Sequence, residues 1–253
     1  MIGHGGFYLP PSDQLFIAFT EAMYMYPNGE PYMISSSFIW DFKKYPHALL
    51  VGGTGSGKTT ALKQIMASFA RHVDCEIYLC TFKHKDEDFS FLNVGRHFDF
   101  YRGCNDLFQV FYKRFLDRLE GRDPTRKLLL LAFDEWVAFL LNLDKQERQS
   151  VLDKLGQILM MGRSFGVQVI VAIQRPDAQF FANGARDNFG LVMALGRMSS
   201  DGYRMIFPSD YIKELQSCSI GKGYAMIGGV DFKRIYIPSP IPQTDIILKQ
   251  KIK

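Results

Sequence analysis

Nine consecutive residues constrain this chain more than any other feature: Gly52, Gly53, Thr54, Gly55, Ser56, Gly57, Lys58, Thr59 and Thr60. They fit the pattern G-x-x-x-x-G-K-[S/T], directly after an apolar run and directly before a helical pattern. A strand that turns through such a loop into a helix is a cradle for phosphates. The glycines let backbone amides wrap an anion, and the helix N-terminus favours negative charge. Lys58 is then placed to reach the β and γ phosphates of a nucleoside triphosphate, and Thr59 to ligate magnesium.

A loop of this kind needs a parallel sheet around it, and the sequence has the material for one. The runs HALLVGG, EIYLCTF, KLLLLAFDE, QVIVAIQ and LVMALG are apolar almost throughout, as strands covered on both faces should be. Helical periodicity separates them at residues 105–119 and 144–163; in the second, Leu152, Leu155 and Leu159 share a face and Gly166 follows the end. The expectation is an α/β domain whose parallel sheet carries helices on both faces. After Pro208 a short helix is expected, then a small hairpin turning at Gly228-Gly229. Residues 1–46 are rich in aromatics, with a turn expected at 27–29 and an added strand in SSSFIWDF. The tail with Lys249, Lys251 and Lys253 reads as a poorly ordered end.

Composition excludes more than it selects. With 253 residues, 47% of them hydrophobic, the chain can bury a sizeable core. A net charge of +4 is compatible with nucleic acid and equally with any soluble enzyme. The longest apolar stretch, 128–143, holds Asp134 and Glu135 at its middle. Carboxylates in a bilayer centre cost about 2.5–3.5 kcal/mol each, so a membrane span is not expected there. Residues 1–7 lack the basic start and apolar core of a secretory signal. Cys75, Cys80, Cys104 and Cys218 have no metal-site spacing and read as buried free thiols in a reducing compartment, Cys75 and Cys80 pointing to opposite faces of one strand.

Four further residues bear on chemistry. Asp134 and Glu135 end an apolar strand, where the crevice of an open parallel sheet holds its ligands. Asp134 suits magnesium binding, and Glu135 can orient or deprotonate an attacking water. Gln174 ends QVIVAIQ before Pro176 stops the strand; if that strand lies between the phosphate-loop strand and the Asp134 strand, its amide emerges beside the γ phosphate. Arg163 lies eleven residues earlier, in the last turn of a helix. It either complements that helix's dipole or acts as an arginine finger on a neighbouring subunit's nucleotide.

The segments WDFKKYPHALLVGGTGSGKTTAL, LLLAFDEW and GRSFGVQVIVAIQRPD resemble those of the FtsK/SpoIIIE branch of DNA-translocating ATPases, within the FtsK-HerA group. RDNFGLVMALGRMSSDGYRMIF is similar to the FtsK-like coupling proteins of Gram-positive conjugative elements. The resemblance covers residues 38–237 and implies a P-loop NTPase of RecA-like fold. It divides the chain into an N-terminal extension at 1–37, a motor domain at 38–240 and a basic tail at 241–253. It implies a hexameric ring that pumps DNA using ATP and Mg2+, at the cytoplasmic face of the membrane, with relaxase and secretion-channel partners and a membrane tie made by other segments or proteins. By motif position it implies phosphate binding by residues 52–60, metal binding by Thr59 and Asp134, catalysis by Glu135, γ-phosphate sensing by Gln174, and a trans-acting role for Arg163 with Arg197 and Arg204 near the subunit junction.

The chain departs from the family where Asp-Pro-Lys is common and Thr81-Phe82-Lys83 stands instead. A viral genome-packaging ATPase of the same group and a nucleotide-binding regulatory subunit without motor activity are the alternative readings. Candidate DNA contacts are the loop FKHKDEDF, Lys113, Arg114 and Arg118 on a helix, and Arg122, Arg126 and Lys127, all of which also read as ordinary surface charge.

Overall fold

A computed structural model describes residues 14–20, 23–25, 32–34, 37–84, 87–125, 127–180, 185–212, 215–238 and 242–252. The turn expected at 27–29, the opening residues 1–7, Arg126 and Lys253 lie outside them. Four strands come first: β1 (Gln14–Thr20), β2 (Met23–Met25), β3 (Tyr32–Ile34) and β4 (Ser37–Asp41). Then follow β5 (Ala48–Val51), α1 (Lys58–His72), β6 (Cys75–Thr81), β7 (Phe98–Phe100), α2 (Gly103–Leu119), β8 (Leu128–Asp134), α3 (Trp136–Asn142), α4 (Lys145–Met161) and β9 (Val167–Ile173). The chain continues as β10 (Leu191–Leu195), α5 (Ser200–Arg204), α6 (Ser209–Ile212), β11 (Lys222–Ile227), β12 (Asp231–Tyr236) and α7 (Pro242–Lys251).

Among the described residues, ten strands form one sheet in the order β4-β1-β12-β11-β10-β5-β9-β8-β6-β7. From β10 to β7 every pairing is parallel, and from β10 to β4 every pairing is antiparallel. The parallel half has the composition such a position requires. All residues of β5, β8, β9 and β10 are buried, because helices cover both faces. On one face α2, α3 and α4 pack with Phe108, Phe111, Trp136, Leu155 and Ile158. On the other α1 packs with Leu62, Ile65, Met66 and Phe69. Cys80 belongs to the first layer and Cys75 to the second, as strand alternation demands, and all four cysteines are free and buried.

α4 starts where the sequence says it should. Asp144 accepts from the amides of Gln146 and Glu147 while the Glu147 side chain returns to the Asp144 amide, a complete capping box. The helix ends at Met161, and residues 162–165 tighten into a 3-10 turn closed by Gly166 at φ 64°. Arg163 therefore sits in that turn rather than in the last turn of the α-helix.

The expected hairpin is β11-β12, but it is not a separate appendage. β11 pairs with β10 and β12 with β1, so the hairpin bridges the parallel strands to β1 and β4. SSSFIWDF supplies β4, whose Trp40 is fully buried and packs edge-on to Phe69 of α1. The tail differs from its expected disorder. Residues Pro242–Lys251 form α7, which lies on α1 with Leu248 buried and Asp245 Oδ1 3.0 Å from Lys63 Nζ. Buried apolar side chains contribute about 1.5–3 kcal/mol each, and Leu248 with Ile252 supplies enough to hold a short helix that its lysines alone would not.

At the N-terminal edge of the parallel strands polar groups serve the fold. His47, at φ 60°, donates its amide to Gln168 Oε1 at 2.8 Å and accepts from the Val169 amide at Nδ1. Gln168 in turn donates to Phe42 O. Burial pushes the His47 imidazole down to about 3, so it stays neutral.

Candidate nucleotide-binding site

β9 lies between β5 and β8, which brings three strand ends to one crevice. The loop after β5 is drawn tight: the Gly52 amide donates to Ile173 O at 3.1 Å. A Cβ on Gly52 would stand 2.5 Å from Ser56 Oγ and 2.6 Å from Leu195 O, so only glycine fits there. Gly57 caps α1 at φ 99°, a left-handed conformation open to glycine at no steric cost. The loop is closed from a second side by Gly221, whose amide donates to Ser56 O at 3.0 Å. Sequence reading did not connect these two segments, because they are distant in the chain and meet only through β10 and β11.

Lys58 opens α1 and is buried, its Nζ 3.8 Å from Glu135 Oε1. Thr59 donates its hydroxyl to Asp134 Oδ2 at 3.1 Å. Glu135 also accepts from Gln174 Nε2 at 3.0 Å. The structure thus brings Lys58, Thr59, Asp134, Glu135 and Gln174 into one constellation. Glu135 holds φ 59° and ψ 45°, a conformation a residue with a side chain adopts only where its surroundings impose it. Here the buried Trp136 imposes it, with its ring against Phe133 and Phe139 and its Nε1 donating to Phe180 O.

Asp134 is fully buried, and its Oδ1 has no hydrogen-bond partner. Buried carboxylate oxygens are normally satisfied, and one that is not marks a place for a ligand. Among the described residues no group of three or more His, Cys, Asp or Glu side chains could hold a metal. The donor set of one hydroxyl and one carboxylate fits magnesium, which takes one or two protein oxygens and completes its shell with phosphates and water.

Lys83, read from sequence as part of a departure from the family pattern and of a candidate DNA-contact loop, belongs to this site. Its Nζ lies 3.2 Å from Asp134 Oδ2 and 3.0 Å from Asp88 Oδ2. The signal was a cation two residues past a buried strand, and it became readable only once β6 was known to pair with β8 in the register Thr81↔Asp134.

Arg163 is not in the constellation. It precedes β9 while Gln174 follows it, and seven strand residues span about 23 Å. Arg163 is exposed and lines a cavity of about 650 Å³ with Arg204, Met160, Met205 and Phe207. It cannot reach the phosphate loop of its own chain. Arg197 is exposed, and Arg204 pairs with Asp201 at 2.9 Å.

Sequence comparison agrees with this architecture. Residues 28–77 match the model of the FtsK/SpoIIIE family. The chain is 31% identical over 216 residues to the Ftsk domain-containing protein YdcQ of Bacillus subtilis (strain 168), across 79% of this chain and 44% of that protein. The chain belongs to the FtsK/SpoIIIE family of P-loop ATPases. It is also 24% identical to the DNA translocase FtsK of Borreliella burgdorferi, across 74% of this chain and 26% of that protein. It spans less than half the length of either relative. Among solved structures it is similar in fold to the pCW3 conjugation coupling protein TcpA with ATPγS, at a TM-score of 0.72 and 16% identity, covering 98% of this chain and 73% of that one. The genome packaging NTPase B204 of Sulfolobus turreted icosahedral virus 2 is similar at a TM-score of 0.52 and 13% identity, over 78% of this chain and 99% of that one.

Arg114 and Arg118 among the candidate DNA contacts turn inward, whereas Lys113, Arg122 and Lys127 stay exposed and pair at the surface. Arg114 pairs with Glu76 and Asp123, and Arg118 is buried. Lys113 and Arg122 both pair with Asp117, and Lys127 stands 3.6 Å from Asp74. Lys83, from the loop at 82–89, faces the nucleotide site. Among the described residues no helix is long and apolar enough to cross a membrane.

Proposed function

We propose that this FtsK/SpoIIIE-family chain hydrolyses ATP to translocate DNA in conjugative transfer, working as a hexameric ring at the cytoplasmic face of the membrane. The observation that carries the proposal is the pairing of Glu135 with Gln174 beside Lys58 and Asp134. A site that only binds nucleotide needs the loop and a metal ligand. The second carboxylate, held in a strained backbone and oriented by an amide, suits a group that takes a proton from water.

In this reading residues 52–60 grip the phosphates through amides and Lys58 offsets their charge. Thr59 and Asp134 would hold Mg2+, which would supply charge neutralisation for the phosphates. Glu135 orients and deprotonates the attacking water, and Gln174 reports whether the γ phosphate is present. A further cation at the γ phosphate would offset transition-state charge. Arg163, confined to the far edge of its own sheet, suits that role only towards a neighbour's nucleotide, which makes the ring a requirement for turnover. Six copies multiply a few phosphate contacts per subunit, so the modest +4 charge is sufficient for a salt-dependent grip on DNA.

The conjugative role is supported by the TcpA-like fold, with relaxase and secretion-channel proteins as partners and any membrane tie made elsewhere. A second reading, genome packaging in a virus, draws on the similarity to B204, which this fold covers almost completely. Capture of capsid rather than relaxase components separates the two. Phosphate release measured with no DNA, single strands and duplex, across a salt series, tests the motor itself. Stimulation by DNA that fades with salt is expected; a rate indifferent to every DNA contradicts translocation and leaves a regulatory nucleotide-binding subunit.

A further inference from the structure

Asp134 has a cation beside it that the phosphate-loop motif does not include. The register Thr81↔Asp134 and the bond from the Phe82 amide to Asp134 O, at 3.1 Å, carry the chain across the end of β8 and deliver Lys83 to the carboxylate. Asp134 Oδ2 then faces both Lys83 Nζ and Thr59 Oγ1, while Oδ1 has no hydrogen-bond partner. An ionised carboxylate with no exposure requires a counter-charge, and Lys83 provides one. Lys83 and a divalent cation compete for Asp134, because the two repel at a separation of a few ångströms. The lysine has an alternative, since Asp88 already takes its other side and 27% of its side chain is exposed.

We propose that Lys83 is a placeholder for the metal: it neutralises Asp134 while the site is vacant and leaves for Asp88 and the phosphates when metal and nucleotide arrive together. The inference rests on Asp134 being the metal ligand, as proposed above. Its consequence is an ordered site. Metal alone must expel Lys83 with no phosphate to receive it, so metal binds weakly without nucleotide, whereas the triphosphate gives Lys83 a new anionic partner.

The test uses the full chain and Mn2+ as a paramagnetic probe, with binding read by electron paramagnetic resonance and no nucleotide present. Lys83→Met, and Lys83→Gln as a second variant, are expected to bind Mn2+ at least about tenfold more tightly than the wild type. Lys83→Arg, which keeps the charge, is expected to match the wild type. Equal Mn2+ affinity in the wild type and in whichever neutral variant circular dichroism shows to be folded overturns the placeholder. Asp134→Asn separates the two layers of inference. Loss of Mn2+-dependent ATP binding in Asp134→Asn supports the metal-ligand reading whatever Lys83 does, whereas retained binding overturns that reading and the placeholder with it.

Discussion

Two buried charges at opposite ends of the parallel strands solve the same problem differently. Arg118, 6% exposed, donates to Phe165 O, Gly166 O, Lys127 O, Thr125 Oγ1 and Asp123 Oδ2. Asp123 is held well below the usual carboxylate range by hydrogen bonds from Thr125, Arg114 and Arg118. Asp134, at the other edge, has one oxygen shared by Thr59 and Lys83 and another with no hydrogen bond. The first charge is complete within the chain and ties the 3-10 turn before β9 to α2. The second is incomplete, which is useful only if something else binds. A buried charge that is satisfied belongs to the fold, and one that is half satisfied belongs to function.

The contrast can be broken most forcefully at the carboxylate pair. Glu135→Gln is expected to lower ATP turnover about 10²–10⁴-fold while leaving nucleotide bound, read as phosphate release against filter binding. Equal turnover would remove Glu135 from the chemistry. Arg118→Met should do the reverse, costing about 3–5 kcal/mol in urea unfolding with nucleotide affinity of the folded fraction unchanged. A loss under about 1 kcal/mol would mean its bonds to the turn are ornamental. His47 sharpens the same division through pH. Its folded value of about 3 lies below the unfolded 6.5, so the unfolded state takes up the proton first and stability falls as pH drops from 6.5. The expected slope grows from about 0.7 kcal/mol per pH unit at pH 6.5 towards about 1.4 by pH 5, before most carboxylates titrate. A flat profile there would show that His47 is open to water. The smallest effect is expected from Asp134→Asn, within about 1 kcal/mol in stability, because Lys83 keeps Asp88 and Thr59 can donate to the new amide oxygen.

What the sequence disclosed follows from which interactions are local. The phosphate loop and α4 are encoded in contiguous residues, and the loop and the start of the helix stand where expected. Gln174 depended on one long-range fact, the place of β9 between β5 and β8, and the sheet meets that condition. Arg114 and Arg118 could not be told from surface charge, since their partners Glu76, Asp123 and Gly166 come from other elements. Lys83 was hidden by cross-strand register, and α7 by a core contact that composition does not reveal. Helix caps and loops are written in neighbours; the site's counter-charges are written in the sheet.

The central claim is that each triphosphate is processed by two copies, one through Lys58 and Glu135 and the next through Arg163. Mixing Lys58→Ala with Arg163→Ala, each inactive alone, tests it directly by phosphate release with DNA present. Recovered turnover is predicted, because a Lys58→Ala copy still offers Arg163 to its neighbour's intact loop. A mixture as inactive as its parents, or an Arg163→Ala protein with wild-type turnover, would contradict the account.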